Sequence, residues 1–89
     1  MIVEFDKSFD KSLDKIAVLS VRKKIILIIE TLEKANSIRE ISNIKKLIGF
    51  KNYYRIRIGD YRIGFELINV KTIRLIIVAS RKDIYKLFP

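Results

Sequence analysis

Tyr53-Tyr54-Arg55-Ile56-Arg57-Ile58-Gly59-Asp60-Tyr61-Arg62-Ile63-Gly64-Phe65 decides the fold. Apolar side chains recur at every second position on both sides of Gly59-Asp60, which is the period of a β-strand with one buried face. A two-residue loop with glycine first suits a type II′ turn, whose twist matches that of the flanking strands. This predicts a β-hairpin in which Ile58 faces Tyr61, Arg57 faces Arg62, Ile56 faces Ile63 and Arg55 faces Gly64. Side chains alternate across a strand, so Arg55, Arg57 and Arg62 share one face and the isoleucines the other. Like charges directly opposite destabilise a sheet, so the Arg57/Arg62 pair makes physical sense on a face that meets an anion. Guanidinium offers a rigid fork of donors matched to phosphate, and Gly64 beside Arg55 is expected to leave a groove for an approaching backbone. Glu66 is the nearby carboxylate on the same parity.

Downstream, Asn69-Val70-Lys71 reads as a loop, and Ile73 to Ala79 is apolar nearly throughout and rich in β-branched residues. Such a run is expected of a central strand buried on both faces, with Ile76 in the core. Asp83 to Phe88 adds a final helical turn, and Arg81 and Tyr85, at the end of the central strand and four residues apart, are expected on one side of a helical turn. Upstream, Ile2-Val3-Glu4-Phe5 reads as a first strand. Asp6 and Ser8 are helix-start residues ahead of Phe9, Leu13, Ile16 and Ala17, which share a helical face. Ser20 is expected to cap a second helix, Val21 to Ala35, where Val21, Ile25, Ile28, Ile29 and Leu32 recur at helical spacing and Asn36 supplies a stop. Residues 36–50, with Ile38, Ile41, Ile44 and Leu47 three apart, read as a loose helical turn or a hydrophobic tether. The order β-α-α-β-β-β predicts an α+β fold, with an antiparallel-rich sheet and a helical hairpin packed on one face. Eighty-nine residues make this one domain, 1–89, with no internal repeat or linker.

Composition removes whole classes of chemistry. Cysteine and histidine are both absent, which excludes disulfides, a thiol nucleophile, cysteine-ligated clusters, a Ser-His-Asp triad and imidazole metal ligation. No apolar run approaches the ~18 residues that span a bilayer, and no secretory signal is visible, so a cytoplasmic protein without a membrane partner is expected. Charge is unevenly spread. Residues 1–44 hold eight basic and seven acidic side chains, net +1, and residues 45–89 hold eleven and three, net +8. Five of the seven arginines, Arg55, Arg57, Arg62, Arg74 and Arg81, lie in the second half. Such asymmetry points to a basic face for nucleic acid, anionic lipid or an acidic protein.

Three stretches carry a family resemblance: Ile44-Lys45-Lys46-Leu47-Ile48-Gly49, the run Tyr54-Arg55-Ile56-Arg57-Ile58-Gly59-Asp60-Tyr61-Arg62-Ile63, and Ser80-Arg81-Lys82-Asp83-Ile84-Tyr85. With the helical hairpin before them, the chain resembles the RelE/ParE superfamily of bacterial and archaeal toxins from toxin–antitoxin pairs along essentially its whole length. The resemblance implies a ribosome-dependent endoribonuclease that cuts mRNA in the A site, using the ribose 2′-oxygen as nucleophile and neither metal nor cofactor. It also implies a cognate acidic antitoxin, in an oligomeric complex, as partner. By position, Arg55 and Arg62 would hold the scissile phosphate, Arg81 would assist the leaving oxygen, and Tyr85 would stack on or orient the nucleotide. Arg57 stands where RelE-like members commonly carry a lysine proposed as general base, and Ser80 where many relatives have histidine. Arginine is a poor proton acceptor, so Arg57 clamps charge, or the base is another group or a water. Two other readings share the fold: a ParE-like inhibitor of DNA gyrase acting by protein contact, and a nucleic-acid-binding homologue without cleavage.

Overall fold

The computed structural model describes residues 1–89. Strand β1 (Ile2–Phe5) leads into helices α1 (Lys7–Asp14) and α2 (Leu19–Lys34). A 3-10 turn (Ile38–Glu40) and a short strand β2 (Ile44–Lys46) follow, then β3 (Tyr53–Ile58), β4 (Tyr61–Asn69), β5 (Thr72–Ser80) and a terminal helix α3 (Ile84–Leu87). The five strands form one sheet in the order β1-β5-β4-β3-β2, in which only β1 and β5 run parallel. No helix is long and apolar enough to cross a membrane.

The hairpin has the register its alternation predicts, with Ile58 opposite Tyr61, Arg57 opposite Arg62, Ile56 opposite Ile63 and Arg55 opposite Gly64. Gly59 has φ +57° and Asp60 does not share the left-handed region, as a type II′ turn requires. The middle strand is β4, not β5. Strand β5 lies between β1 and β4, and its burial is uneven, with Ile76 and Ile77 only half-buried. Apolarity marked β5 as central because both its faces meet helices. The polar positions of β4, Arg62 and Glu66, disguise the true centre of the sheet.

Both long helices pack on one face, where Phe9, Ile25 and Leu32 meet Ile56, Ile63, Phe65, Ile73 and Leu75, each fully buried. Tyr54 stacks on Phe65 within this layer, with ring centroids 5.3 Å apart. Asp6 caps α1 through its carboxylate, which accepts from the Ser8 N–H at 3.2 Å and from the Ser8 hydroxyl at 2.6 Å. These bonds, the hydroxyl first, hold the Asp6 carboxyl below its ordinary pKa. A carboxyl lowered in the folded state adds stability above its unfolded pKa and loses it as pH falls through the folded value. Helix α2 begins at Leu19 with Val18 at its cap and no side-chain bond there, so Ser20 lies in the first turn and does not cap. Arg22 ties the hairpin together instead, donating to the carbonyls of Leu13 (2.8 Å) and Ile16 (3.2 Å) where α1 ends. A cation there also complements the helix dipole.

Strand β1 stops at Phe5 while β5 runs on to Ser80, so the outer edge of β5 loses its strand partner past Leu75. Helix α1 takes over that edge. Ser8 Oγ lies in hydrogen-bond reach of the Ile76 carbonyl, and Ser12 Oγ accepts the Val78 N–H at 3.0 Å while donating to the Phe9 carbonyl at 2.8 Å. Val78 is buried, so Ser12→Ala leaves its N–H unpaired and is expected to cost about 1–3 kcal/mol, read as a lower urea midpoint.

The opposite face is not open throughout. Leu47, Ala79, Ile84 and Phe88 form a second buried cluster, so α3 covers the face on which the arginines stand. The region 36–50 is divided between the two layers. Ile41 joins the helix-side core, Leu47 joins the α3 side, and β2 crosses between them with Lys45 opposite Arg55. This strand is too short to show a period of two. It is flanked by left-handed residues, Asn43 (φ 64°) and Gly49 (φ 85°), that turn the chain at each end.

Gly64 is the largest departure from expectation. A Cβ there would lie 2.5 to 2.7 Å from ring atoms of Phe88, so the aromatic ring occupies the space expected to be a groove. Gly64→Ala is therefore expected to dislodge Phe88 and cost about 1–3 kcal/mol through overpacking. The measurement is a thermal melt, with loss of the Phe88–Tyr53 ring contact in proton NMR.

Candidate active site

The hairpin register places Arg55 and Arg57 on β3 next to Arg62 on β4, and pairing with β2 adds Lys45 beside Arg55. These four cations, with Asn43, Ile44 and Tyr85, line a cleft of about 380 Å³ that contains no carboxylate. Glu66 does not line the cleft: it lies opposite Arg74 in the ladder, and Arg74 pairs with Glu4 at 3.4 Å. Arg74 therefore belongs to an acidic row, apart from the cleft.

Each guanidinium has its own support. Arg62 donates through one terminal nitrogen to the carbonyls of Gly59 (2.8 Å) and Tyr61 (2.9 Å), folding back on the turn and leaving its other N–H donors free. Arg57 donates to Asn43 Oδ1 at 3.1 Å, and its backbone N–H reaches the Asn43 carbonyl at 3.0 Å. Arg55 lies over the Tyr85 ring, 4.6 Å from the centroid, a cation–π contact. Tyr85 is 72% exposed, which leaves it open to a ligand. Ion pairing would consume donor capacity. Here the donors are oriented by neutral oxygens and a ring, so the positive charge stays available to an anion.

Of the five residues singled out from sequence, Arg55, Arg57, Arg62 and Tyr85 come together in this cleft, and Arg81 does not line it. Arg81 precedes α3, which starts at Ile84, so no helical turn aligns it with Tyr85. Its backbone N–H is bonded to the Asp60 carbonyl at 2.8 Å, which holds it beside the hairpin turn at the rim, with an exposed side chain. Lys45 and Asn43 are the residues that sequence reasoning missed. The alternation of Lys45 with Ile44 carries a trace of strand, but three residues cannot distinguish it from a turn.

A cleft with four cations, no acid and an exposed tyrosine beside one guanidinium fits the toxin resemblance, and comparison with known proteins decides the family. The family described as ParE toxin of type II toxin-antitoxin system, parDE, matches residues 3–85. The chain belongs to the RelE/ParE toxin family. Within the family it is 47% identical over 90 residues to Toxin RelE3 of Methanocaldococcus jannaschii, covering 100% of both chains. Its fold is similar to the RelE of the RelB-RelE antitoxin-toxin complex from Methanococcus jannaschii, with a TM-score of 0.81 and 45% identity over 97% of this chain and 99% of that one. The archaeal RelE-RelB complex from Pyrococcus horikoshii OT3 matches with a TM-score of 0.71 and 26% identity, covering 90% and 93%. This chain is thus a RelE-like toxin of the type II class.

Proposed function

We propose that this RelE-like toxin is a ribosome-dependent endoribonuclease that cuts mRNA in the A site, acts in the cytoplasm and is restrained by an acidic antitoxin. The cleft of Arg55, Arg57, Arg62 and Lys45 without an opposing carboxylate carries this reading. Cleavage by the ribose 2′-oxygen forms an O2′–P bond and breaks the P–O5′ bond, leaving a 2′,3′-cyclic phosphate. Negative charge builds on the phosphorane, and preorganised donors there supply commonly the largest catalytic term. Arg55 and Arg62 hold the nonbridging oxygens, Arg57 clamps charge, and Tyr85 orients the nucleotide while steadying Arg55. Arg81 reaches the departing 5′-oxygen from the rim. Guanidinium stays protonated, so Arg57 does not take the 2′-proton; water takes it, and water returns a proton to the leaving oxygen.

The similarity to RelE chains found in complex with RelB supports the antitoxin as partner. An Asp- and Glu-rich segment across Arg55, Arg57 and Arg62 would compete with RNA for the same donors.

The test is purified protein added to ribosomes programmed with mRNA, with ends mapped by primer extension. Cuts within the A-site codon are expected, and gyrase supercoiling should be unaffected. Inhibited supercoiling with intact mRNA would replace this reading by the gyrase one. Four phosphate contacts on a single strand also imply binding that weakens roughly 50-fold between ~50 and ~200 mM salt, from the counterion slope of about 0.7 per contact. Arg57→Lys is expected to keep or raise the cleavage rate, because an amine can exchange its proton where guanidinium cannot; general bases contribute about 100-fold or more when well placed.

A further inference from the structure

The cationic cleft continues into a second groove of about 490 Å³, with Lys45, Arg55 and Tyr85 as the shared wall. The character of the surface changes across that wall, since the far side is formed by Leu47, Ile48, Phe50, Phe88 and Pro89 with Lys46 as its one cation. Ile48 is 93% exposed and Phe50 45% exposed, on a loop with a defined shape. Buried Leu47 anchors it, the Leu47 N–H donates to the Tyr53 carbonyl at 2.9 Å, and Gly49 makes the left-handed turn. Beneath the loop runs a row of rings, Phe50 to Tyr53 at 5.9 Å and Tyr53 to Phe88 at 5.3 Å.

We infer that this groove is a nucleobase subsite, so that the loop between β2 and β3 sets which base the toxin prefers next to the scissile phosphate. The inference rests on the ribonuclease reading and deepens it. A group anchored by its negative charge at Arg55 carries its remaining bulk across the shared wall, onto an apolar surface one side chain away. A nucleotide has that construction: an anion, a short sugar spacer and a flat apolar face. Every base has such a face, and each presents different polar edges to the exposed end of the groove. The continuity of the two grooves through three residues favours one ligand spanning both over a separate protein ligand in the second.

The experiment measures binding to ribosomes programmed with mRNA that is 2′-deoxy at the scissile position, and so uncleavable, with a base present or removed at each position of the A-site codon. Loss of one base should weaken binding by the wild-type protein about 5- to 150-fold, the range for single-base stacking. The double variant Ile48→Ala/Phe50→Ala should show a similar loss with intact mRNA and almost no further loss with the abasic one. Ile48→Ala alone, at a fully exposed position, repeats the test where folding is not at stake. Independent, additive losses, or no effect of base removal at any position, overturn the inference. So does a double variant that keeps its RNA profile and loses only antitoxin affinity, which would make the groove an antitoxin surface. Wild-type protein that binds no programmed ribosome at all removes the ribonuclease reading and this subsite with it, whereas binding with no base dependence removes the subsite alone.

Discussion

Arg62→Ala is expected to lower the rate of mRNA cleavage on programmed ribosomes by about 100- to 1,000-fold, the usual effect of deleting one preorganised donor at a developing oxyanion. Arg62 is suited to that role because two carbonyls of the Gly59-Asp60 hairpin hold one of its terminal nitrogens and no carboxylate neutralises it. The substitution removes charge and leaves the core intact, since the side chain lies on the face away from Ile63, which is fully buried. Thermal unfolding should therefore change little, and removing the Arg57/Arg62 like-charge opposition adds slightly to stability. Arg74→Ala is the matched control, one positive charge fewer in the same sheet but paired with Glu4 and outside the cleft. If the two variants lose activity equally, overall charge rather than the cleft governs the reaction. Growth arrest on expression gives the same comparison in cells.

Leu75→Ala is expected to destabilise the protein by about 2–5 kcal/mol, the cost of a cavity that cannot collapse. Leu75 is fully buried and faces Phe65 across β4 and Phe5 across β1, so three strands converge on the space it fills. Small domains hold roughly 5–15 kcal/mol in total, so a loss of this size approaches the whole margin. A urea titration should show a much lower midpoint at unchanged slope. Ile76→Ala, the position favoured by sequence, should cost clearly less, because Ile76 is half-buried against the smaller α3 cluster. Equal costs at the two positions would mean that the two apolar layers are equally tight.

The hairpin was legible residue by residue because its alternation, its glycine-led turn and its two-residue loop all constrain one another, and a slip of one residue would have turned every isoleucine outward. The α1 start was legible too, since a cap is a local bond between Asp6 and Ser8. The α2 start was not. Ser20 looks like a cap, but the helix begins earlier because Arg22 and the packing of α2 onto the sheet fix where it enters. Three of the four predicted arginines reached one cleft by strand parity alone, whereas Arg81 stands beyond the end of β5, where no period constrains its direction.

By itself, then, the sequence determined the α+β class, the hairpin register, the face shared by Arg55, Arg57 and Arg62, and the absence of imidazole and thiol chemistry. All of these follow from interactions between residues near in the chain or from composition. Tertiary structure alone decided that β4 is the middle strand, that Lys45 joins the cleft through β2, that Tyr85 lies against Arg55, and that Phe88 fills the space over Gly64. Those contacts join segments ten to seventy residues apart. They are selected by which apolar surfaces must cover both faces of the sheet, a condition that only the closed fold can impose.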